Sequence, residues 1–213
     1  MPELLTTALL GVAAYLLGSV NGSLVLGRLS GVDIRKLGSG NAGGTNALRT
    51  QGKWFALGVV LIDVAKGWLA VVAAKWMSAN HSTSEWLPAM CGFAAMVGHV
   101  WPLWHGFRGG KGAATLVGAL LALDAPLLVP VIAIWLLFVV GFGYVGFATV
   151  AAALALPVYV LAARDGNLAS LLLFTCAAAL LIIATHRRNL ARMRAGTEPR
   201  SRRLWLLGKG TSK

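Results

Sequence analysis

From Leu4 to Gly27 the chain runs about 24 residues without a charge. A run of that length and character spans a bilayer, and inside hydrocarbon its backbone hydrogen bonds must close within a helix. Further apolar runs follow at Trp54 to Ala74, Trp86 to Trp104, Ala113 to Leu123, Leu127 to Val140, Val145 to Ala163 and Leu168 to Thr185. With 57% hydrophobic and 12% charged residues, the composition belongs to a membrane protein. The first run exceeds a signal-peptide core and shows no small-residue cleavage site, so it counts as a span. Cys91 and Cys176 lie inside apolar runs and read as packing residues, with no disulfide and no metal site.

The net charge of +12 would point to nucleic acid in a soluble protein. Here the positive-inside rule accounts for it, and no nucleic-acid partner is expected. Arg28, Arg35, Lys36, Arg49 and Lys53 face a single Asp33 in the loop after the first run, which places that loop in the cytoplasm. From Arg187 onward nine basic residues stand against Glu198 alone, so this tail is cytoplasmic too and contacts anionic lipid. The two ends agree only if Ala113 to Val140 is two short helices turning at Asp124-Ala125-Pro126. Short helices are tolerated where their ends lie in protein or a wet cavity. The expected fold is an all-α integral membrane protein of seven transmembrane helices, N-terminus outside and C-terminus cytoplasmic. It forms one domain over residues 1–213, with 187–213 as a basic tail, and its glycine-rich cytoplasmic loops form the active site.

Two of those loops carry chemistry. Gly38-Ser39-Gly40-Asn41-Ala42-Gly43-Gly44-Thr45-Asn46, flanked by Arg35, Lys36 and Arg49, interleaves glycine with hydroxyl, amide and cationic groups. Glycines let successive N–H groups converge, and such a nest beside cations suits phosphate. A plain linker would not need that interleaving. The second loop, His105 to Thr115, contains Gly109-Gly110-Lys111-Gly112 and opens a helix, whose N-terminus favours anions. It is not a nucleotide P-loop: that pattern needs glycine where His105 stands and Ser or Thr where Gly112 stands. Phosphate binding is inferred, with Lys111 as a point charge, but not nucleotide hydrolysis.

Asp63 and Lys66 interrupt the second span three residues apart, on one helix face. Such residues pair or line a wet interior, so a buried helix-fixing pair and a direct site role both stay open. His186 and Asn189 can share a helix face at the cytoplasmic end of the last span; an imidazole there can take a proton and an amide can orient it. His99 and His105 lack a third ligand and read as structural. On the residues alone, two classes remain. One is an enzyme joining a phosphorylated substrate to a lipid; the other is a transporter for an organic phosphate. A transporter should show internal repeats and midplane polar groups. The absence of a repeat, and polar motifs gathered at one face, favour the enzyme.

These motifs resemble those of the bacterial acyl-phosphate:glycerol-3-phosphate acyltransferases, the PlsY family. The resemblance covers Gly18-Ser19, Asp33-Ile34-Arg35, the loop to Asn46 with Arg49, and Asp63 through Gly67. It continues through Gly98-His99 with Pro102, Phe107 to Thr115, and His186-Arg187-Arg188-Asn189. It implies acyl transfer from acyl phosphate to the 1-hydroxyl of glycerol 3-phosphate, giving lysophosphatidic acid and phosphate. It implies no cofactor, no metal, no direct use of acyl-CoA, and a bacterial cytoplasmic (inner) membrane location. A functional link to an enzyme that makes acyl phosphate is implied as well. The H-x-x-x-x-D signature of other glycerophosphate acyltransferases is absent.

On this reading Ser39, Gly40, Asn41, Gly43, Gly44, Thr45, Asn46 and Arg49 hold one phosphate. Lys111 with Gly109 and Gly110 holds the other, and His186 and Asn189 activate or orient the hydroxyl. Asp63, Lys66, His99 and Thr149 support. The chain departs from the family at Asn21, often proline, and at Gly44, usually alanine. It departs most at Gly143-Tyr144-Val145-Gly146, where the family carries a basic residue and then Tyr-Val-Ser. Only Thr149 offers a hydroxyl there.

Overall fold

A computed structural model of the chain describes residues 2–81, 83–166, 168–201 and 204–206. Among these, nine α-helices and three short 3-10 turns account for the regular structure, with no strand. Two compact units divide at Ala125 and Pro126. Four helical runs are long and apolar enough to cross a membrane: Lys53–Asn80, Ala113–Phe142, Val145–Ala163 and Ala169–Arg194; a bent pair at the N-terminus makes up to five.

The first unit holds α1 (Pro2–Gly18), α2 (Gly22–Leu29), α3 (Gly44–Gln51), α4 (Lys53–Asn80), α5 (Leu87–Val100) and α6 (Ala113–Asp124). The expected single span from Leu4 to Gly27 is instead bent by 47° between α1 and α2. Its cause is local. The Asn21 carboxamide oxygen accepts from Leu24 N at 3.2 Å and so starts a new helix. The freed backbone around it is used by α4: Lys66 Nζ donates to Val20 O at 3.0 Å, and Gly22 N donates to Asp63 Oδ1 at 3.0 Å.

Small residues set the helix crossings, as is usual where backbones meet in lipid. A side chain at Gly67 of α4 would collide with Thr115 O of α6, and one at Gly118 of α6 with Val64 O of α4. Likewise Gly18 abuts Ala95 O, and Gly98 abuts Tyr15 O, where α1 meets α5. Lys75 Nζ donates to Ala122 O and Leu123 O at 2.6 and 3.2 Å, capping the end of α6. These pairings fix a direction: α6 runs parallel to α4, from the level of Gly67 to the level of Lys75. It therefore starts roughly 20 Å along α4 from Lys53.

The second unit holds α7 (Leu128–Phe142), α8 (Val145–Ala163) and α9 (Ala169–Arg194). Phe138, Phe142 and Phe147 form an aromatic trio, centroids 5.3 to 5.7 Å apart, that fastens α7 to α8. Leu156, Val160, Ala178 and Ile182 lie buried along α8 and α9. A 3-10 turn at Ala125–Leu127 separates the 12-residue α6 from the 15-residue α7, and the run Ala113–Phe142 as a whole counts as one candidate span.

Candidate active site

In the first unit the two glycine-rich loops meet. Gly109 N donates to Val100 O and Gly110 N to His99 O, both at 3.1 Å, so the second loop folds back on the end of α5. A methyl group on Gly110 would strike His99 Nε2 and lie 2.7 Å from Ala42 O of the first loop. Only a bare Cα lets the loop lie on the imidazole and against the other loop at once.

Beneath this contact sits a buried triad. Lys66 Nζ lies 2.9 Å from Asp63 Oδ1, 2.8 Å from His99 Nδ1 and 3.0 Å from Val20 O, so all three ammonium donors find acceptors. His99 Nδ1 also lies 3.3 Å from Asp63 Oδ1, so the imidazole nitrogen sits between the ammonium and the carboxylate. Asp63 and Lys66 are 1% and 3% exposed and form a buried ion pair. It ties α4 to the α1–α2 bend and to α5, and through His99 it floors the second loop.

The first loop is braced by its own amide. Asn46, buried in α3, accepts from Ser39 N at 2.9 Å and donates from Nδ2 to Ile34 O and Leu37 O at 3.2 and 2.9 Å. Its polar atoms are thereby turned onto the loop backbone. Asn21 Nδ2 donates to Ala42 O at 3.2 Å and steadies the loop's other limb. Gly43 caps α3, so the amides of Gly44, Thr45 and Asn46 form its open N-terminus. Thr45 and Arg49, both exposed, stand four apart on one face. Ser39 and Gly40 are exposed and Asn41 is half-buried.

Arg35 joins the loops from outside. Its Nε and Nη2 fork onto Asp33 Oδ1 and Oδ2 at 2.9 and 3.1 Å, while Nη1 donates to His105 O at 3.0 Å. The guanidinium holds the Asp33 carboxyl below its ordinary value, chiefly by that hydrogen bond. At α6 the N-cap is Gly112, and half-buried Lys111 precedes it, giving a second open N-terminus with a cation beside it.

His186, Asn189 and Thr149 belong to the second unit. The buried His186 directs Nδ1 at Ile182 O, 2.9 Å away, so Nδ1 carries the proton and Nε2 is the basic nitrogen. Asn189 Nδ2 donates to Glu198 Oε1 at 2.6 Å, and Arg192 Nε donates to Glu198 Oε2 at 2.7 Å. A side-chain carbon at Gly146 would stand 3.0 Å from Asn189 Cβ, so α8 approaches α9 closely at that residue. Thr149 Oγ1 donates to Val145 O at 2.9 Å and accepts from Trp135 Nε1 at 3.2 Å.

Glu198 escaped the sequence reading as a positioning residue, although its isolation, one carboxylate in a tail of arginines, was a signal. Arg35 and Asn21 were noted there, but not their bonds to His105 O and Ala42 O.

Residues 8–196 match the glycerol-3-phosphate acyltransferase family. A protein of that name from Parasynechococcus marenigrum (strain WH8102) is 40% identical over 201 residues, covering 94% of this chain and 92% of that one. Another from Ralstonia nicotianae is 40% identical over 202 residues, covering 94% and 96%. The crystal structure of PlsY (YgiH), an integral membrane glycerol 3-phosphate acyltransferase, is similar in its glycerol 3-phosphate form. It superposes with a TM-score of 0.82 at 32% identity, over 92% of this chain and 95% of that one. The form with lysophosphatidic acid gives 0.83 at 32%, over 95% and 98%. With nearly the whole chain matched and its loop motifs in order, this protein belongs to the glycerol-3-phosphate acyltransferase family.

Proposed function

We propose that the protein transfers a fatty acyl group from acyl phosphate to the 1-hydroxyl of glycerol 3-phosphate, without cofactor or metal. The observation that carries this is the convergence of two open helix N-termini, α3 and α6, on loops that touch at Gly110 and Ala42. Two such termini with Arg49 and Lys111 beside them suit two phosphate groups. The PlsY structures with glycerol 3-phosphate and with lysophosphatidic acid support the same substrate and product here.

Acyl phosphate is a mixed anhydride, so no covalent enzyme intermediate is required. The hydroxyl oxygen attacks the acyl carbonyl carbon, the carbon–oxygen bond to phosphate breaks, and phosphate leaves with the electron pair. The first-loop amides with Ser39, Thr45 and Arg49 hold one phosphate, and Asn46 acts through the Ser39 amide it anchors. Lys111 with Gly109 and Gly110 holds the other and stabilises the leaving charge. His186 Nε2 takes the hydroxyl proton, and Asn189, steadied by Glu198, orients the hydroxyl. Thr149, Asp63, Lys66 and His99 support these groups. The chain acts as one domain of the bacterial cytoplasmic membrane, with its loops and tail in the cytoplasm, and draws on an enzyme that makes acyl phosphate.

The test is an assay of purified protein with labelled glycerol 3-phosphate and a chelator, offering palmitoyl phosphate or palmitoyl-CoA. Lysophosphatidic acid from acyl phosphate alone is expected. Lys111→Ala and His186→Ala should each lower kcat by roughly 10²–10³ while leaving membrane insertion intact. Product from acyl-CoA alone, or none from either donor, sinks the reading.

A further inference from the structure

The C-terminal segment folds back onto the turn between α7 and α8. Ser201 N donates to Gly143 O at 2.8 Å, and the Trp205 indole N–H donates to Gly141 O at 3.2 Å. Trp205 N donates to Ser201 O at 2.9 Å. Gly143 has φ +80, and a side-chain carbon there would lie 2.9 Å from Trp205 Cγ. The indole therefore occupies the space a residue other than glycine would need at position 143.

The C-terminal segment brings a cation to this turn. The Arg200 guanidinium lies over the Trp205 ring, 4.0 Å from its centroid, and over the Tyr144 ring, 4.9 Å from its centroid. Stacking uses the flat faces of a guanidinium and leaves its in-plane N–H groups for an acceptor. Arg200 is exposed, and among the described residues those N–H groups meet no hydrogen-bond or ion-pair partner. Two residues earlier, Glu198 holds Asn189 and Arg192, so the segment is anchored on both sides of Arg200.

We propose that Arg200, clamped by Tyr144 and Trp205, is a further anion-binding residue that presents its guanidinium edge to a phosphate group at the α7–α8 turn. The choice of phosphate rests on the acyltransferase reading. The group belongs either to a substrate or to an anionic phospholipid headgroup, and the two sources share one chemistry.

The experiment uses the full-length protein in neutral detergent and in vesicles of phosphatidylcholine with or without phosphatidylglycerol. Arg200→Met keeps an apolar stem against the rings and removes the donors; Arg200→Lys restores charge without the fork. Phosphate binding is read directly as the Trp205 contribution to emission, the difference between the protein and its Trp205→Phe variant, titrated with inorganic phosphate. A substrate source predicts that Arg200→Met raises Kd for inorganic phosphate and KM for one phosphate substrate about tenfold. The same variant should keep kcat within about twofold, with partial rescue by Arg200→Lys. A headgroup source predicts unchanged KM values in detergent and loss of the phosphatidylglycerol dependence of activity. The proposal is overturned if Arg200→Met matches the unsubstituted protein in phosphate titration, in both KM values and in lipid dependence. A folded protein that makes no lysophosphatidic acid would sink the acyltransferase reading instead, and the phosphate titration would still decide Arg200.

Discussion

Asn46 illustrates how a residue of the motif can serve the site without facing it. Its carboxamide joins three points of the first loop: Ser39 N, Ile34 O and Leu37 O. Removing it strands three backbone groups, each worth about 1–3 kcal/mol if left unsatisfied. Asn46→Asp keeps the acceptor for Ser39 N but turns a carboxylate toward two carbonyl oxygens. Both Asn46→Ala and Asn46→Asp should therefore raise KM for one of the two phosphate substrates by roughly tenfold or more, with Asp no better than Ala. Wild-type KM in Asn46→Asp would show that the loop does not need the amide donors. At Asp33 the issue is pH. Its folded pKa is depressed by Arg35, so its contribution is fully present above the ordinary carboxylate value, about 4. That contribution is lost as pH falls through the lower folded value. Asp33→Asn should cost stability near neutrality and converge with the unsubstituted protein in acid, read as thermal midpoints in detergent across pH 3 to 7. A constant gap between the two would refute the fork's role.

At the scale of elements, α4 and α6 cross where Gly67 and Gly118 leave no room for a side chain. Because Lys111 lies just ahead of the α6 N-cap, spreading this crossing displaces the loop as well as loosening the helices. Gly118→Leu should lower the thermal midpoint and abolish activity, the overpacking costing on the order of 1–3 kcal/mol or more. Gly11→Ala is the control: nothing lies within 4 Å of the added carbon in α1, and it should be neutral. Hydropathy predicted where these elements meet lipid, not where they end. The second span was expected to stop at Ala74, yet α4 continues to Asn80. The last was expected to stop at Thr185, yet α9 continues to Arg194. Polar residues mark the edge of the bilayer, and a helix whose backbone bonds are already running can cross it. The same limit hid α3, a helix of eight residues with a polar face inside what read as loop. The two loops that meet at Gly110 and Ala42 stood out in the sequence because glycine, hydroxyl and cation recur together in them. The bonds that brace them, Asn21 to Ala42 O and Arg35 to His105 O, did not, since they act across 21 and 70 residues that no local spacing encodes.

The whole molecule turns on what the run Ala113–Phe142 does in the membrane. As one helix it would measure about 45 Å, well beyond the roughly 30 Å of hydrocarbon. As two spans it is short, 12 and 15 residues on either side of the 3-10 turn. By length and composition the run counts as one candidate span, and packing in the first unit fixes only where α6 lies. Since α6 runs parallel to α4 and begins partway along it, α6 is level with only the later part of α4. It ends beside Lys75, on the side of α4 away from the Arg28 to Lys53 loop. If α7 then returns, the basic tail shares a face with both glycine-rich loops, as the positive-inside rule demands. Single cysteines at Lys36, Asp165 and Thr197, in a background with Cys91 and Cys176 replaced by alanine, separate the cases. Seven helices predict that an impermeant thiol reagent labels Asp165→Cys in intact cells, and Lys36→Cys and Thr197→Cys only after permeabilisation. Six crossings, with Ala113–Phe142 as one, would reverse Asp165 and Thr197 relative to Lys36. That reversal would put the arginine-rich tail outside and remove His186 from the face that holds Lys111.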